Sequence, residues 1–387
     1  MADMFRASLL LLTLVCFTLL DATEGTTGSK VFTSADGTLK MTYDERIPAK
    51  PAAAKLGLIL LFHGNTLSES SLIPTTMSIL EQAGIANQYI VVGLKSLGTG
   101  WENPDDAPVT AFIQHALTAY PLDRRRIIGM GYSSGCWYIT RFAQAHPEFF
   151  AAAVGYVGGQ SGGPAKLDPS KVAGLYWVAG QKDNLQSVKD PRAHALRNIS
   201  LGFPVVYHEE REMAHNFLWG QTGIDAVAWM QSLRAKGVEL EPDDAAFIDG
   251  FADEAKAKKQ LNEAKTWMRM IAISGPQVVP LILQGLHSDK PAVQSNAATA
   301  CTKVPITDDI ATELGRLVEG KDKKLKGPAL TALMTHAAWN HLKAQQVLCA
   351  QALASSTALA DRRAIALSLA QVMKLDLLEA FVYQRVL

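Results

Sequence analysis

Arg126-Ile127-Ile128-Gly129-Met130-Gly131-Tyr132-Ser133-Ser134-Gly135-Cys136 passes from an apolar run into a helix-compatible segment, residues 136–146, through the pattern Gly-x-Ser-x-Gly. Small residues on both sides of Tyr132-Ser133-Ser134 let the chain reverse sharply from a buried strand into a helix. The turn holds Ser133 in a strained conformation with its hydroxyl exposed. A serine so placed can attack a carbonyl carbon. The five-residue pattern alone arises by chance in about one chain in ten of this length, so the strand before it and the helix after it carry the weight.

Similar apolar runs lie on either side. Residues 56–62, 89–94, 126–130, 152–157, 175–179 and 205–208 are short, mainly apolar runs of the kind expected for strands in a parallel sheet. Residues 68–83, 107–119, 136–147 and 222–235 carry spaced apolar residues compatible with helices, which gives the strand and helix alternation of an α/β sandwich. Residues 31–46, with Asp36-Gly37 at the centre, predict an edge hairpin. After about residue 240 the character changes to Ala, Leu, Lys and Asp, with no strong strand candidate. Helix-prone segments fall near 243–272, 277–287, 291–302, 308–319, 325–337, 340–354 and 361–373. Similar starts at Asp289-Lys290, Asp322-Lys323 and Asp361-Arg362, spaced 33 and 39 residues apart, resemble HEAT-type helical repeats; an irregular helical bundle fits the same composition. The expected fold class is α/β with a mostly parallel central sheet, followed by an all-α region. The expected organisation is a leader over 1–25, a catalytic domain over 30–238 and a helical domain over 241–387.

The leader expectation rests on Arg6 ahead of a leucine-rich, uncharged stretch, residues 7–20, followed by Asp21-Ala22-Thr23-Glu24-Gly25. It is too short to span a bilayer comfortably, so cleavage and export to a secreted or periplasmic location are expected rather than membrane insertion. Val15 before Cys16 does not fit a lipidation signal. The chain of 387 residues is 48% hydrophobic, enough for real cores, and its 37 basic residues balance 37 acidic ones. No overall field draws it to nucleic acid. Cys136, Cys301 and Cys349 are too few and too scattered for a disulfide framework or a zinc site, although a Cys301–Cys349 bridge stays open. No metal-ligand cluster or cofactor-binding fingerprint stands out, and none is expected. Asn198-Ile199-Ser200 matches a glycosylation acceptor.

A serine hydroxyl at neutral pH needs an imidazole to take its proton and an acid to orient that imidazole. Asp183, in the turn Gly180-Gln181-Lys182-Asp183, and His215, in Met213-Ala214-His215-Asn216, follow Ser133 in the required order at intervals of 50 and 32 residues. Asp190 is the alternative acid; His63, His146, His194 and His208 fit structural positions better. The backbone N–H groups of Ser134 and of Asn65, in Phe62-His63-Gly64-Asn65, are the expected oxyanion donors. Trp101, Trp137 and Trp219, with Tyr138 and Phe217, are candidates for a substrate pocket, packing being their commoner role.

These residues, with His146-Pro147-Glu148-Phe149-Phe150 and Asp123-Arg124-Arg125-Arg126, resemble over about residues 40–235 an α/β-hydrolase of the secreted esterase group. That group includes polyhydroxybutyrate-depolymerase-like, feruloyl-esterase-like and dienelactone-hydrolase-like proteins. A serine stands where true dienelactone hydrolases carry cysteine, and the glycine often found before the catalytic histidine is absent. The resemblance implies hydrolysis of small-molecule or polymer-linked carboxylic esters through an acyl-enzyme, with no cofactor. A peptidase, a polyester depolymerase and a non-catalytic binding module with a helical partner surface are the alternatives.

Overall fold

The computed structural model describes residues 28–160, 167–168, 171–218, 220–236, 238–252, 254–320, 322–339, 341–354, 362 and 365–366. The leader segment, the helix expected over 361–373 (three residues apart), Asp361 and Trp219 lie outside the described residues. Among the described residues no helix is long and apolar enough to cross a membrane.

The expected hairpin is present as β1 (Lys30–Thr33) and β2 (Lys40–Arg46). The apolar runs form β3 (Leu56–Phe62), β4 (Tyr89–Leu94), β5 (Leu122–Tyr132), β6 (Ala152–Tyr156), β7 (Gly174–Gly180) and β8 (Val205–Glu210). Every residue of β3, β4, β6 and β7 is buried, which explains why these strands read as continuous apolar runs rather than alternating ones. The eight strands lie in the order β1-β2-β4-β3-β5-β6-β7-β8. β2 runs antiparallel to β1 and β4, and the rest are parallel.

Five helices cover the sheet: α1 (Ile73–Gln82), α2 (Asp106–Ala119), α3 (Ser134–Ala145), α4 (Lys189–Ser200) and α5 (Gly220–Ser232). Leu58, Leu60 and Phe62 face a core shared with α2, α3 and Ala195 of α4. Ile59 and Leu61 face the opposite core, with Ile79 and Leu80 of α1 and Val227 and Met230 of α5. The chain therefore leaves β3 toward one face and β5 toward the other, which makes the carboxyl ends of these neighbouring strands a topological switch point. Such a switch point is where open α/β sheets bind ligands. This arrangement is the α/β-hydrolase fold.

From residue 242 onward the described elements are all helical: α6 (Pro242–Asp249), α7 (Glu254–Gln260), α8 (Ala264–Ile273), α9 (Val279–Leu286), α10 (Pro291–Cys301), α11 (Asp308–Glu319), α12 (Lys323–Ala338) and α13 (Leu342–Leu353). The single long segment expected over 243–272 is three helices. Gly250 caps the first, and the Asn262 side chain donates to the Lys258 carbonyl (2.5 Å), competing with continuation of the second. The later helices stack in two layers. α8 packs on α10 and α10 on α12, while α9 packs on α11 and α11 on α13, with rungs between α9 and α10, α11 and α12, and α12 and α13. Asp289 and Asp322 precede α10 and α12 in the same layer, so their similarity follows a structural period; the Asp322 side chain caps α12 by accepting from Lys324 N (2.8 Å).

The helical array has its own core, built on Trp267, Ile282, Leu314 and Leu333. It joins the central sheet at the amino end of β5. Arg125, 6% exposed, donates to the Ile273 carbonyl (3.2 Å) and to Asp244 (3.4 Å). Arg234 donates to the Ala272 carbonyl (2.8 Å), and the Ser274 hydroxyl to the Ser232 carbonyl (2.7 Å). The carbonyls closing α5 and α8 carry partial negative charge, which the two guanidinium groups complement.

Candidate active site

Ser133 stands between the last residue of β5 and the first of α3, at φ 54° and ψ −116°, a conformation that costs a non-glycine residue on the order of 1–3 kcal/mol. Close packing enforces it. A Cβ on Gly131 would collide with the backbone of Gly135, and one on Gly135 would collide with the Phe62 carbonyl of β3. The small residues of the motif therefore let the turn close on itself and on the neighbouring strand.

Asp183 and His215 meet at the carboxyl edge of the sheet. Asp183 follows β7 and accepts backbone N–H bonds at Oδ1 from Leu185 (2.8 Å) and Gln186 (2.9 Å). Its other oxygen, Oδ2, lies 2.7 Å from His215 Nδ1. The Asp183 side chain is 1% exposed and that of His215 is 15% exposed, so this charge-assisted bond sits largely away from water. A carboxylate partner places the proton on Nδ1 and leaves the Nε2 lone pair free. The loop bearing His215 packs on β7, where a Cβ on Gly180 would strike the Met213 and Ala214 carbonyls, and Lys182 N donates to Met213 O (3.0 Å).

Tyr132 links this loop to the serine. Its hydroxyl donates to the His215 carbonyl (2.8 Å), and its ring lies 5.1 Å from the imidazole. A Cβ on Gly64 would come within 2.8 Å of that same ring and 3.3 Å of Ser133 Cβ. The Tyr132 ring thus stands between the His63-Gly64-Asn65 turn and the His215 loop. Nothing in a variable position of Gly-x-Ser-x-Gly signals this role in advance. Burial first, and the Asp183 charge second, push the Tyr132 phenol up, so it stays a neutral donor.

The turn after β3 is held from below. His63 is buried; its Nδ1 lies 2.6 Å from the Gly64 carbonyl, and Ser96 N donates to its Nε2 (3.2 Å). Both ring nitrogens are engaged, and burial pushes its pKa down. His63 is therefore a scaffold. Thr66 N donates to Thr99 O (2.7 Å), and Gly100 lies against the Asn65 side chain and within a Cβ's contact of Ser134 Cβ. Residues 96–101 thus shape the turn, a contribution that the motif pattern did not reveal. Among the described residues no acceptor takes the N–H of Asn65 or of Ser134.

Trp101, expected as a pocket residue, is 7% exposed, packs on Phe62, His63 and Tyr138, and donates from Nε1 to the His63 carbonyl (3.0 Å). It supports the turn from the core side, and Tyr138 is buried with it. Trp137 is half-buried on α3, edge-on to His194 (5.5 Å) and against Gly159. Phe217 packs on Tyr132 and Tyr156. Asp190 is exposed in the first turn of α4, whereas Asp183 has the imidazole. His146 pairs with Glu148, and His208 packs on Tyr176. Asn198 is 1% exposed and donates to Gln160 Oε1 (3.0 Å) and the His194 carbonyl (2.8 Å), so the folded protein does not offer it for glycosylation. Cys136, Cys301 and Cys349 are free thiols, which leaves the Cys301–Cys349 bridge unformed. Among the described residues no group of three or more His, Cys, Asp or Glu side chains is placed to hold a metal ion.

No family model matches the chain, and no curated protein matches it. The solved structures similar to it include a thermostable esterase, 18% identical over 54% of this chain with a TM-score of 0.42; the match spans 63% of that protein's length. A ferulic acid esterase is 15% identical over 53% of this chain and 97% of its own, with a TM-score of 0.43. An acetyl xylan esterase from Aspergillus awamori is 14% identical over 52% of this chain and 98% of its own, with a TM-score of 0.42.

Proposed function

We propose that the chain is a serine hydrolase that cleaves carboxylic esters through Ser133, His215 and Asp183. The observation that carries the proposal is the 2.7 Å bond from His215 Nδ1 to a carboxylate shielded from water, on a loop that Tyr132 ties to the strained serine turn. In this reading Ser133 Oγ attacks the ester carbonyl while His215 Nε2 takes its proton, and Asp183 stabilises the resulting imidazolium. The carbonyl oxygen becomes an oxyanion and accepts from the Ser134 and Asn65 amides, each worth about 3 kcal/mol to the transition state. Collapse expels the alcohol, protonated by His215, and leaves an acyl-serine. Water, deprotonated by the same imidazole, then releases the acid.

The helical array meets the sheet at the amino end of β5, and Ser133 lies at the other, about 26 Å away at roughly 3.3 Å per residue. In this proposal the array serves as an anchor or partner surface and not as a lid. We also propose export, on the pattern of residues 6–25; amino-terminal sequencing of the mature protein tests it, and an intact Met1 on exported protein would contradict cleavage. A panel of p-nitrophenyl esters, natural esters and peptide anilides tests the reaction class. Ester turnover that disappears in Ser133→Ala supports the proposal, and faster cleavage of anilides than of every ester would replace it with a peptidase.

A further inference from the structure

Some charged side chains remote from Ser133 have a partner of opposite sign, as Arg141 has Asp106 and Arg192 has Glu209. At the amino edge of the sheet, cations outnumber carboxylates around one cleft. A cleft of about 450 Å³ opens there between β5, α5 and α8, and five cations line it. Two of them are matched: Lys55 pairs with Glu241 (2.8 Å), and Arg125 with Asp123 (3.5 Å) and Asp244 (3.4 Å). Those are the carboxylates lining the cleft, and Asp244 also holds Arg269. Arg126, Arg234 and Lys303 have no carboxylate within ion-pair distance among the described residues.

The two unmatched arginines are held by neutral groups. Arg126 lies over the Tyr89 ring (4.7 Å) and makes one long bond to Gln88 Oε1 (3.4 Å). Arg234 gives Nη1 to the Gln231 and Leu233 carbonyls and Nη2 to the Ala272 carbonyl. These acceptors fix each guanidinium in place without cancelling its charge. The Nε–H groups of both are buried with no acceptor among the described residues. Burial, and then repulsion from Arg126, push Arg234 down to about 10, which leaves it charged at neutral pH. Two like charges are thus fixed at the wall of one cleft. A planar guanidinium matches the geometry of phosphate and carboxylate oxygens, and a doubly charged anion would turn the repulsion into attraction.

We propose that this cleft is a binding site for a phosphate group, free or esterified, held by Arg126, Arg234 and Lys303. Arg126 comes from the sheet, Arg234 from the segment after α5, and Lys303 from the turn after α10. An anion bound there bridges the hydrolase sheet and the helical array, and its occupancy stiffens their junction. The site is independent of the ester chemistry, since none of its three cations belongs to the serine site.

The test is thermal unfolding and calorimetric titration of the full chain with inorganic phosphate, set against chloride at matched ionic strength. The expected result is a saturable rise in Tm with phosphate alone. Arg126→Gln and Lys303→Gln are each expected to weaken the titrated affinity by about tenfold or more, the scale of one lost charge-assisted contact. Lys303 is exposed, so its substitution reports on binding without endangering the fold. Glycerol phosphate in parallel distinguishes the sources: equal affinity points to an esterified phosphate, and much weaker affinity to the free ion. Absence of any saturable response to phosphate, or equal affinity in wild type and both variants, would overturn the proposal.

Discussion

The two ends of β5 solve opposite problems with the same strand. At its carboxyl end, Gly131 and Gly135 strip away side-chain bulk, Ser133 is held in a strained conformation, and backbone donors stay unpaired among the described residues. At its amino end, Arg125 is buried and reaches across to the carbonyls and carboxylates of α6 and α8. One end leaves backbone donors unpaired among the described residues, and the other uses charged groups to join two cores. The contrast teaches that the proposed reaction site and the anchorage sit far enough apart to be perturbed separately.

The largest separation is expected from Ser133→Ala. Ester hydrolysis should fall on the order of 10⁴-fold or more, while stability to urea stays within about 0.5 kcal/mol. Initial rates on p-nitrophenyl acetate together with urea unfolding measure both, and a variant that keeps most of its rate would remove the serine from the reaction.

Acid is expected to strike the helical array through His336. Burial pushes this histidine down to about 4, and its Nε2 lies 2.7 Å from the Cys301 carbonyl. As pH falls below about 6.5 the unfolded chain takes up the proton while the folded chain does not, so stability declines until about pH 4. The loss attributable to this group is on the order of 3 kcal/mol. Urea unfolding of wild type and His336→Gln across that window should show a shallower decline in the variant; parallel curves would take His336 out of the effect.

Arg125→Ala should cost about 2 kcal/mol, because it deprives the Ile273 carbonyl of a donor and leaves Asp123 less well paired. Its kcat on esters should stay within about twofold at room temperature, as expected for a site remote from the change. A folded Arg125→Ala protein without activity would show that the ends of β5 are coupled and break the comparison. The smallest effect sharpens the other end. Tyr132→Phe removes only the hydroxyl that holds the His215 carbonyl, so kcat should drop about tenfold with KM unchanged. A raised KM at constant kcat would assign the hydroxyl to substrate binding instead.

Much of this was legible in the residues. Strands buried on both faces announce themselves as apolar runs, and the glycines flanking Ser133 are required by backbone contacts that any such turn must make. The order of Ser133, Asp183 and His215 follows from the same topology, and the fold joins the last two. What stayed hidden depends on neighbours remote in sequence. Helix α4 escaped notice because only Pro191, Ala195 and Asn198 of it are buried, too few for an apolar stripe. Trp101 could line a pocket or support a turn, and only its bond to His63 distinguishes them. The Asn198 motif is local, whereas its burial depends on Gln160. The docking of the helical array at Arg125 has no local signature, since arginine before a strand is ordinarily a surface residue.

The central claim is that Ser133 is a nucleophile activated by His215. Its most direct measurement is covalent labelling of the folded protein by a fluorophosphonate, with the modified residue located by mass spectrometry. The account predicts stoichiometric modification of Ser133 that is lost in Ser133→Ala and slowed at least about a hundredfold in His215→Ala. Folded wild-type protein that stays unlabelled, or that carries the label at another residue, would contradict it.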